Sequence, residues 1–169
     1  MELYFLRHGI AEDLDGIKIK VDSDRPLTAE GKSKIKDIAR AFHKMELDFE
    51  IILSSPYLRA RQTAEIVAET YRGKSKINFS ENLIPSGNTK DLFREISERY
   101  RAVSSLLLVG HEPNMSCTIS SLLSGHPQLF IQVKKGGFCH LNLDWQTKGP
   151  QQAVLKTLMT SKQLRLIHQ

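Results

Sequence analysis

Short apolar runs alternate with amphipathic segments along most of this chain. The runs 3–6, 51–53 and 106–109 are rich in strand formers, and each stops at small or polar residues. Apolar residues at helical spacing follow these runs, which predicts helices around four stretches: 35–45, 60–71, 92–100 and 115–123. Strands that alternate with helices across short turns predict a largely parallel sheet covered on both faces.

The pattern changes to strands after Gly125. It predicts strands at Leu129 to Val133, Phe138 to Leu143 and Ala153 to Met159, an antiparallel addition near the C-terminus. We therefore expect an α/β fold, a three-layer αβα sandwich with a mostly parallel central sheet, in a single domain over residues 1–169. In open sheets of this kind, ligands bind beyond the carboxyl ends of the strands.

Composition and charge leave several classes of partner open. The 169 residues carry 24 Lys plus Arg against 19 Asp plus Glu, a formal net charge of +5, which suits nucleic acid, an anionic membrane surface or a phosphorylated substrate. The two cysteines form no disulfide framework. Because the chain has neither a basic-then-apolar leader nor an apolar run near the roughly 18 residues of a membrane span, we expect a cytoplasmic protein that binds no membrane.

Three strands of the expected sheet deliver functional groups at one edge. Arg7 and His8 follow the first strand, Arg59 lies in the first turn of the helix after the second, and His111 follows the most apolar run. Arginine offers forked N–H donors that match phosphoryl oxygens, and histidine serves as nucleophile, acid or base near neutral pH. The first turn of the Arg59 helix adds free N–H groups and a positive dipole end. This convergence indicates a site for one phosphoryl group.

The same residues lie in sequence blocks that resemble the histidine phosphatase superfamily, which includes the phosphoglycerate mutases, and within it the small SixA-type phosphohistidine phosphatases. The resemblance covers nearly the whole chain and rests on four blocks in order: Leu6-Arg7-His8-Gly9, Arg25-Pro26-Leu27-Thr28, the segment SSPYLRARQTA at 54–64, and Val109-Gly110-His111-Glu112-Pro113.

The resemblance implies a phosphoglycerate mutase-like fold and a metal-independent phosphatase without a cofactor. It implies that His8 attacks phosphorus to form a phosphohistidine intermediate, which water hydrolyses. Arg7, Arg59 and His111 would bind the phosphoryl oxygens, and Arg25 is a further candidate for substrate binding or a plain loop arginine. The implied partner is a phosphorylated histidine phosphotransfer domain or another phosphoprotein.

Two carboxyl groups are candidates for the acid that protonates the leaving group. Larger family members place it either before the second histidine, where Glu81 lies here, or directly after it, where Glu112 lies. We favour Glu112 because it adjoins His111. The third alternative is that neither carboxyl group serves as the acid, because a protonated phosphoimidazole is an easy leaving group.

The interval between Arg59 and His111 holds two predicted helices and two predicted strands, so no residues remain for a cap domain. An uncapped site favours a bulky phosphoprotein over a small metabolite. A broad-specificity phosphomonoesterase is the competing enzyme function. Binding of phosphoproteins and binding of nucleic acid, each without catalysis, are the competing non-enzymatic functions. Because the basic residues other than Arg7 and Arg59 are spread along the chain, we expect no nucleic-acid partner. The basic pairs Lys134-Lys135 and Lys162 to Arg165 contribute either a protein-docking surface or solubility alone.

Overall fold

The computed structural model describes residues 1–129, 131–145 and 153–168. Its strands are β1 (Glu2–Arg7), β2 (Ile51–Ser54), β3 (Lys76–Phe79), β4 (Ser105–Gly110), β5 (Phe138–Leu143) and β6 (Ala153–Met159). Its helices are α1 (Ala29–Lys44), α2 (Leu58–Thr70), α3 (Thr89–Arg99), α4 (Asn114–Ser124) and α5 (Ser161–His168).

The strands form one sheet in the order β3-β2-β4-β1-β5-β6. The first four in that order pair in parallel, whereas β5 runs antiparallel to β1 and β6 antiparallel to β5. The strands β1 and β4 lie at its centre, and each has a run of at least four consecutive buried residues, as expected for strands covered on both faces. The predicted parallel sheet with an antiparallel C-terminal addition is confirmed.

Two hydrophobic cores cover the two faces of the sheet. Successive side chains of a strand point to opposite faces of the sheet, so the residues of β1 alternate between the two cores. Tyr4 and Leu6 pack in the first core, and Leu3 and Phe5 pack in the second. The first core also contains residues of α1, α2 and α5, and the second contains residues of α3 and α4. The expected three-layer αβα sandwich is confirmed.

The predicted strand at Leu129 to Val133 is wrong for the residues described there, 129 and 131–133, which form no strand; Phe130 lies outside the described residues. Apolar character alone suggested the strand, but the backbone of Val133 bonds to side chains instead. Its N–H donates to Glu112 and its carbonyl accepts from Arg7. The basic segment Lys162 to Arg165 lies in helix α5.

The start of α1 holds the loop that follows β1. Thr28 caps the helix by accepting from the Gly31 N–H at 2.9 Å, and its own N–H donates to the Ile10 carbonyl at 3.0 Å. A Cβ added at Gly31 would lie 2.1 Å from that carbonyl oxygen, so only glycine allows the approach. No helix within the described residues is long and apolar enough to cross a membrane.

Candidate active site

The carboxyl ends of three adjacent parallel strands build the candidate site. Leu6 of β1 and Ser54 of β2 both pair with Val109 of β4, so the residues that follow each strand emerge side by side. Backbone bonds continue past the strands, since the His8 N–H donates to the Gly110 carbonyl at 3.2 Å. Arg7, His8, Arg59 and His111 therefore meet at one edge, as the sequence predicted.

The His8 imidazole is held in one tautomer. Its Nδ1 lies 2.7 Å from the Gly9 carbonyl oxygen, which only accepts, so Nδ1 carries the proton. Its Nε2 accepts a hydrogen bond from Arg59 Nε at 3.3 Å. The ring is 5% exposed, and this burial, helped by the charge of Arg59, lowers the pKa of His8 to about 3. At neutral pH His8 is uncharged and holds a lone pair on Nε2.

The second histidine of the site is also buried and neutral. His111 Nε2 lies 3.0 Å from the Ser55 hydroxyl, and its ring centroid is 4.8 Å from that of His8. Burial, together with the neighbouring His8 and the charge of Arg59, lowers the pKa of His111 to about 2. Its Nδ1 is buried and has no hydrogen-bond partner within the described part of the chain. An unpaired buried ring nitrogen is costly, so this atom is a candidate contact for a bound ligand.

The guanidinium of Arg59 is tied to Asp22 as well as to His8. It donates to Asp22 through Nη1 to the carbonyl oxygen at 2.6 Å and through Nη2 to Oδ2 at 2.9 Å. Thr63, one turn along α2, donates to the Arg59 carbonyl at 2.7 Å and accepts from the Gly9 N–H at 3.2 Å. Thr63 thus links the first turn of α2 to the loop that carries His8.

The Arg7 guanidinium is partly free. Its Nη1 donates to the Val133 carbonyl at 2.9 Å, whereas its Nε is buried and bonds to none of the residues that the structure describes. Burial and the charge of Arg59 lower the pKa of Arg7, and the charge of Glu112 opposes this shift. Two cationic side chains and two neutral imidazoles in one buried cluster suit a dianion such as a phosphoryl group.

The comparisons agree with this geometry. The family model of the histidine phosphatase superfamily (branch 1) matches residues 3–85. An uncharacterized protein of Picosynechococcus sp. is 40% identical over 83% of this chain and 84% of its own length. The phosphohistidine phosphatase SixA of Escherichia coli (strain K12) is 30% identical over 77% of this chain and 80% of its own length. The chain belongs to the histidine phosphatase superfamily.

The solved structures extend the similarity to the fold. The protein histidine phosphatase SixA complexed with tungstate superposes with a TM-score of 0.82 at 25% identity, over 97% of this chain and 99% of that one. The phosphoglycerate mutase-like fold is confirmed, and this histidine phosphatase is a hydrolase.

Glu112 binds the protein's own backbone and a neighbouring side chain. Its Oε1 accepts from the Ser116 hydroxyl at 2.6 Å and from the Val133 N–H at 2.9 Å, and its Oε2 accepts from the Ser116 N–H at 3.2 Å. These bonds hold the start of α4 against the segment whose carbonyl accepts from Arg7. They support a positioning role, and the function of Glu112 as proton donor stays a prediction.

The other two candidates of the histidine phosphatase lie farther out. Arg25 donates its hydrogen bonds to the loop before α1. Its Nε donates to the Glu12 carbonyl at 2.6 Å, Nη1 to Asp22 Oδ1 at 2.9 Å and Nη2 to Asp13 Oδ1 at 3.3 Å. It therefore contacts the carboxylate that in turn contacts Arg59. Glu81 is exposed and lines a cavity of about 380 Å³ along α3, which none of the four clustered residues line.

Sequence reasoning missed Asp22 as a member of the site. Burial alone would raise the pKa of this carboxyl group, but hydrogen bonds from Arg25 and Arg59 lower it. The signal available in the sequence was its position three residues before Arg25. Only the fold shows that this carboxylate meets an arginine 37 positions away.

The described residues contain no group of three or more His, Cys, Asp or Glu side chains placed to hold a metal ion. That the enzyme works without metal or cofactor stays a prediction.

The neutral state of His8 makes stability depend on pH. The unfolded chain takes up a proton on this ring below a pKa near 6.5, whereas the folded ring does so only near 3, so stability falls as the pH falls between these values. We expect His8→Gln to reduce that loss by up to about 2 kcal/mol between about pH 7 and pH 5. Urea unfolding at the two pH values measures it. His43→Gln removes an exposed histidine of α1 as the control, and an equal change in both variants would contradict the assignment.

Proposed function

We propose that this phosphatase removes the phosphoryl group of phosphohistidine on a signalling phosphotransfer protein, through a phosphohistidine intermediate on His8. The observation that carries the proposal is the His8 ring itself. Its proton is directed to the Gly9 carbonyl at 2.7 Å, and its lone pair on Nε2 is buried beside Arg59. A neutral imidazole whose Nε2 carries an unprotonated lone pair, next to cationic donors, is poised to attack an anionic phosphorus centre.

In the first step, His8 Nε2 forms a bond to phosphorus while the bond from phosphorus to the substrate nitrogen breaks. The substrate imidazole leaves neutral if its other ring nitrogen is protonated, so little acid catalysis is needed. The His8 ring becomes cationic, and its Nδ1–H donates more strongly to the Gly9 carbonyl. Water then attacks the phosphorus, inorganic phosphate departs, and the bonding electrons return to Nε2.

Arg7, Arg59 and His111 act on the transferring oxygens. The Nε–H of Arg7 and the Nδ1 of His111 are buried and have no hydrogen-bond partner among the described residues, as groups reserved for a ligand would be. Ser55 supports His111 by donating its hydroxyl proton to Nε2, which leaves Nδ1 protonated to bind a phosphoryl oxygen. Tungstate, the ligand of the SixA structure, is an oxyanion of similar shape and charge to phosphate.

The lack of a cap between Arg59 and His111 supports a protein substrate. Between Arg59 and His111 the chain forms the rest of α2, then β3, a short 3₁₀ turn, α3 and β4, so this interval contributes no cap domain. A small phosphorylated metabolite needs enclosure to gain affinity, whereas a protein side chain brings further contacts from its own surface. A broad-specificity phosphomonoesterase uses the same four residues and is the second candidate.

The deciding experiment is a phosphatase assay with a phosphorylated histidine phosphotransfer domain and a panel of phosphomonoesters. We expect the wild type to prefer the protein substrate in kcat/KM, His8→Ala to abolish turnover, and Arg59→Ala to lower kcat by on the order of 10²–10³. Brief incubation with a radiolabelled phosphodonor should label the wild type with an acid-labile, base-stable phosphate. Efficient hydrolysis of sugar phosphates without activity on the protein would favour the second candidate.

Glu112 is tested through its dependence on the leaving group. As a positioning residue, Glu112→Gln should lower kcat by less than about tenfold, and by the same factor for p-nitrophenyl phosphate and for an alkyl phosphate. Ser116→Ala, which removes one of its hydrogen bonds, should act in the same direction. A loss confined to the alkyl phosphate, whose leaving group must be protonated, would instead establish Glu112 as the proton donor.

Asp22 competes with the substrate for Arg59, because its carboxylate occupies Nη2 at 2.9 Å. Asp22→Asn removes a negative charge from the anion site while keeping an oxygen beside Arg59. We expect competitive inhibition by inorganic phosphate to strengthen about three- to tenfold. Asp24→Asn is the matched control, since that carboxylate accepts from the Ser23 hydroxyl. An unchanged inhibition constant in Asp22→Asn would refute the competition.

A further inference from the structure

A groove lined by basic side chains adjoins the candidate active site at Arg7. It encloses about 540 Å³ and lies between α1, the turn before β5 and the start of α5. We call it the basic groove, and its cationic residues besides Arg7 are Lys34, Lys134, Lys135, Lys162 and Arg165. No Asp or Glu among the described residues lines it. The two basic pairs of the sequence, far apart along the chain, are therefore two sides of one surface.

The inner wall of the basic groove is fixed to the segment that carries the nucleophile. The Gly136 N–H donates to the carbonyls of Arg7 and His8 at 3.1 and 3.2 Å, and the Arg7 N–H donates to Gly137 at 3.0 Å. Gly136 has a φ of +68°, which favours glycine, so the turn is tight. The charge of Lys135 reaches His8 and contributes to lowering its pKa. A ligand in the groove therefore lies next to Arg7 and Gly9, the residues on either side of His8.

The outer wall of the groove is equally well held. Thr160 and Gln163 cap α5 reciprocally, with the Thr160 N–H donating to Gln163 Oε1 at 2.8 Å and the Gln163 N–H to Thr160 Oγ1 at 3.3 Å. Leu164 is fully buried in the core shared with α1. Lys162 and Arg165 flank this anchor, so the groove exists before any partner binds.

Most of these cations lack an internal counter-charge. Lys134, Lys135 and Lys162 are exposed, and no carboxylate of the described residues lies within ion-pair distance of them. Lys34 pairs with Glu30, whose carboxylate also feels the charge of Arg165. Like charges around one groove repel each other, and an anionic ligand would relieve this repulsion.

The floor of the groove selects among anionic partners. Ile10 lines it as a partly exposed apolar side chain below the cationic rim, above the fully buried Ile35 and Ile38. A nucleic acid presents an unbroken row of phosphates and gains little from an apolar floor, whereas a peptide carries apolar and acidic side chains together. Lysines on flexible stems bind carboxylates as point charges and accommodate varied spacing.

Building on the proposed function, we propose that the basic groove docks an acidic, partly apolar segment of the phosphoprotein substrate next to its phosphohistidine. The groove would orient the substrate through contacts that a free phosphorylated metabolite lacks. It would also give the association a dependence on ionic strength, because exposed charge pairs are screened within roughly 8 Å at physiological salt.

Two variants of equal charge change test the proposal. Lys134→Glu/Lys162→Glu reverses charge on both walls of the groove, and Lys74→Glu/Lys76→Glu reverses two exposed lysines at the opposite end of the sheet, where β3 begins. Binding is measured by fluorescence anisotropy with a short labelled peptide rich in Asp, Glu and Leu, and with the same peptide carrying Ser in place of its acidic residues. Neither peptide is phosphorylated, so this measurement does not depend on catalysis.

We expect the groove variant to bind the acidic peptide about tenfold more weakly than the wild type, and the control variant to bind it within about twofold. Lys134→Gln/Lys162→Gln should show an intermediate loss, and the wild-type affinity should fall with added salt. Equal loss in the two charge-reversal variants, no loss in the groove variant, or tighter binding of a single-stranded oligonucleotide than of the peptide would each overturn the proposal.

A kinetic arm connects the groove to catalysis. Phosphohistidine forms of the two peptides are compared by kcat/KM, and the preference of the wild type for the acidic form should fall about tenfold in the groove variant only. If the wild type hydrolyses neither phosphohistidine peptide, the proposed function fails, while the anisotropy measurement still decides whether the groove binds the acidic segment. If hydrolysis occurs without any preference for the acidic form, the docking proposal fails alone.

Discussion

The parallel pairing of β1, β4 and β2 is the constraint on which the site depends. Leu6, Val109 and Ser54 lie in register across the centre of the sheet, so the residues after each strand leave it at the same level. A shift of one residue in any of these pairings would turn every side chain of that strand to the opposite face. Burial of β1 and β4 against a core on both faces forbids such a shift, and the same packing that stabilises the fold thereby aligns His8 with His111.

Electrostatics within the site follow from that alignment. Two guanidinium groups and two imidazoles cannot all be charged in one buried cluster, and burial near the guanidinium groups keeps both rings neutral. The neutral ring of His8 keeps the lone pair that nucleophilic attack requires. In the protein without substrate, Asp22 supplies the negative charge that Arg59 would otherwise lack. A bound phosphoryl group would take over that role, so the loop of Asp22 links substrate binding to the surface around the site.

A second layer of contacts holds the first. Thr63 bonds α2 to the loop after β1, and Glu112 bonds α4 to the segment that receives Arg7. The turn at Gly136 adds hydrogen bonds from its N–H to the carbonyls of Arg7 and His8. Such contacts restrict the positions of the guanidinium groups and the histidines before a ligand arrives, which lowers the entropy cost of binding it. They also place the basic groove at a constant distance from His8, which is what a docking surface requires.

The sequence by itself determined the layers of the fold, the strand ends that carry Arg7, His8, Arg59 and His111, and the family. The periodicity of apolar residues indicates locally which positions are buried, and groups that follow parallel strands converge at one edge of the sheet. The sequence is therefore sufficient to predict these features. Tertiary structure alone decided the segment around Val133, the contact of Asp22 with Arg59 and the joining of two distant basic pairs into one groove. Each of these depends on side chains that meet across long sequence separations, and no local pattern of residues encodes which loop reaches which partner.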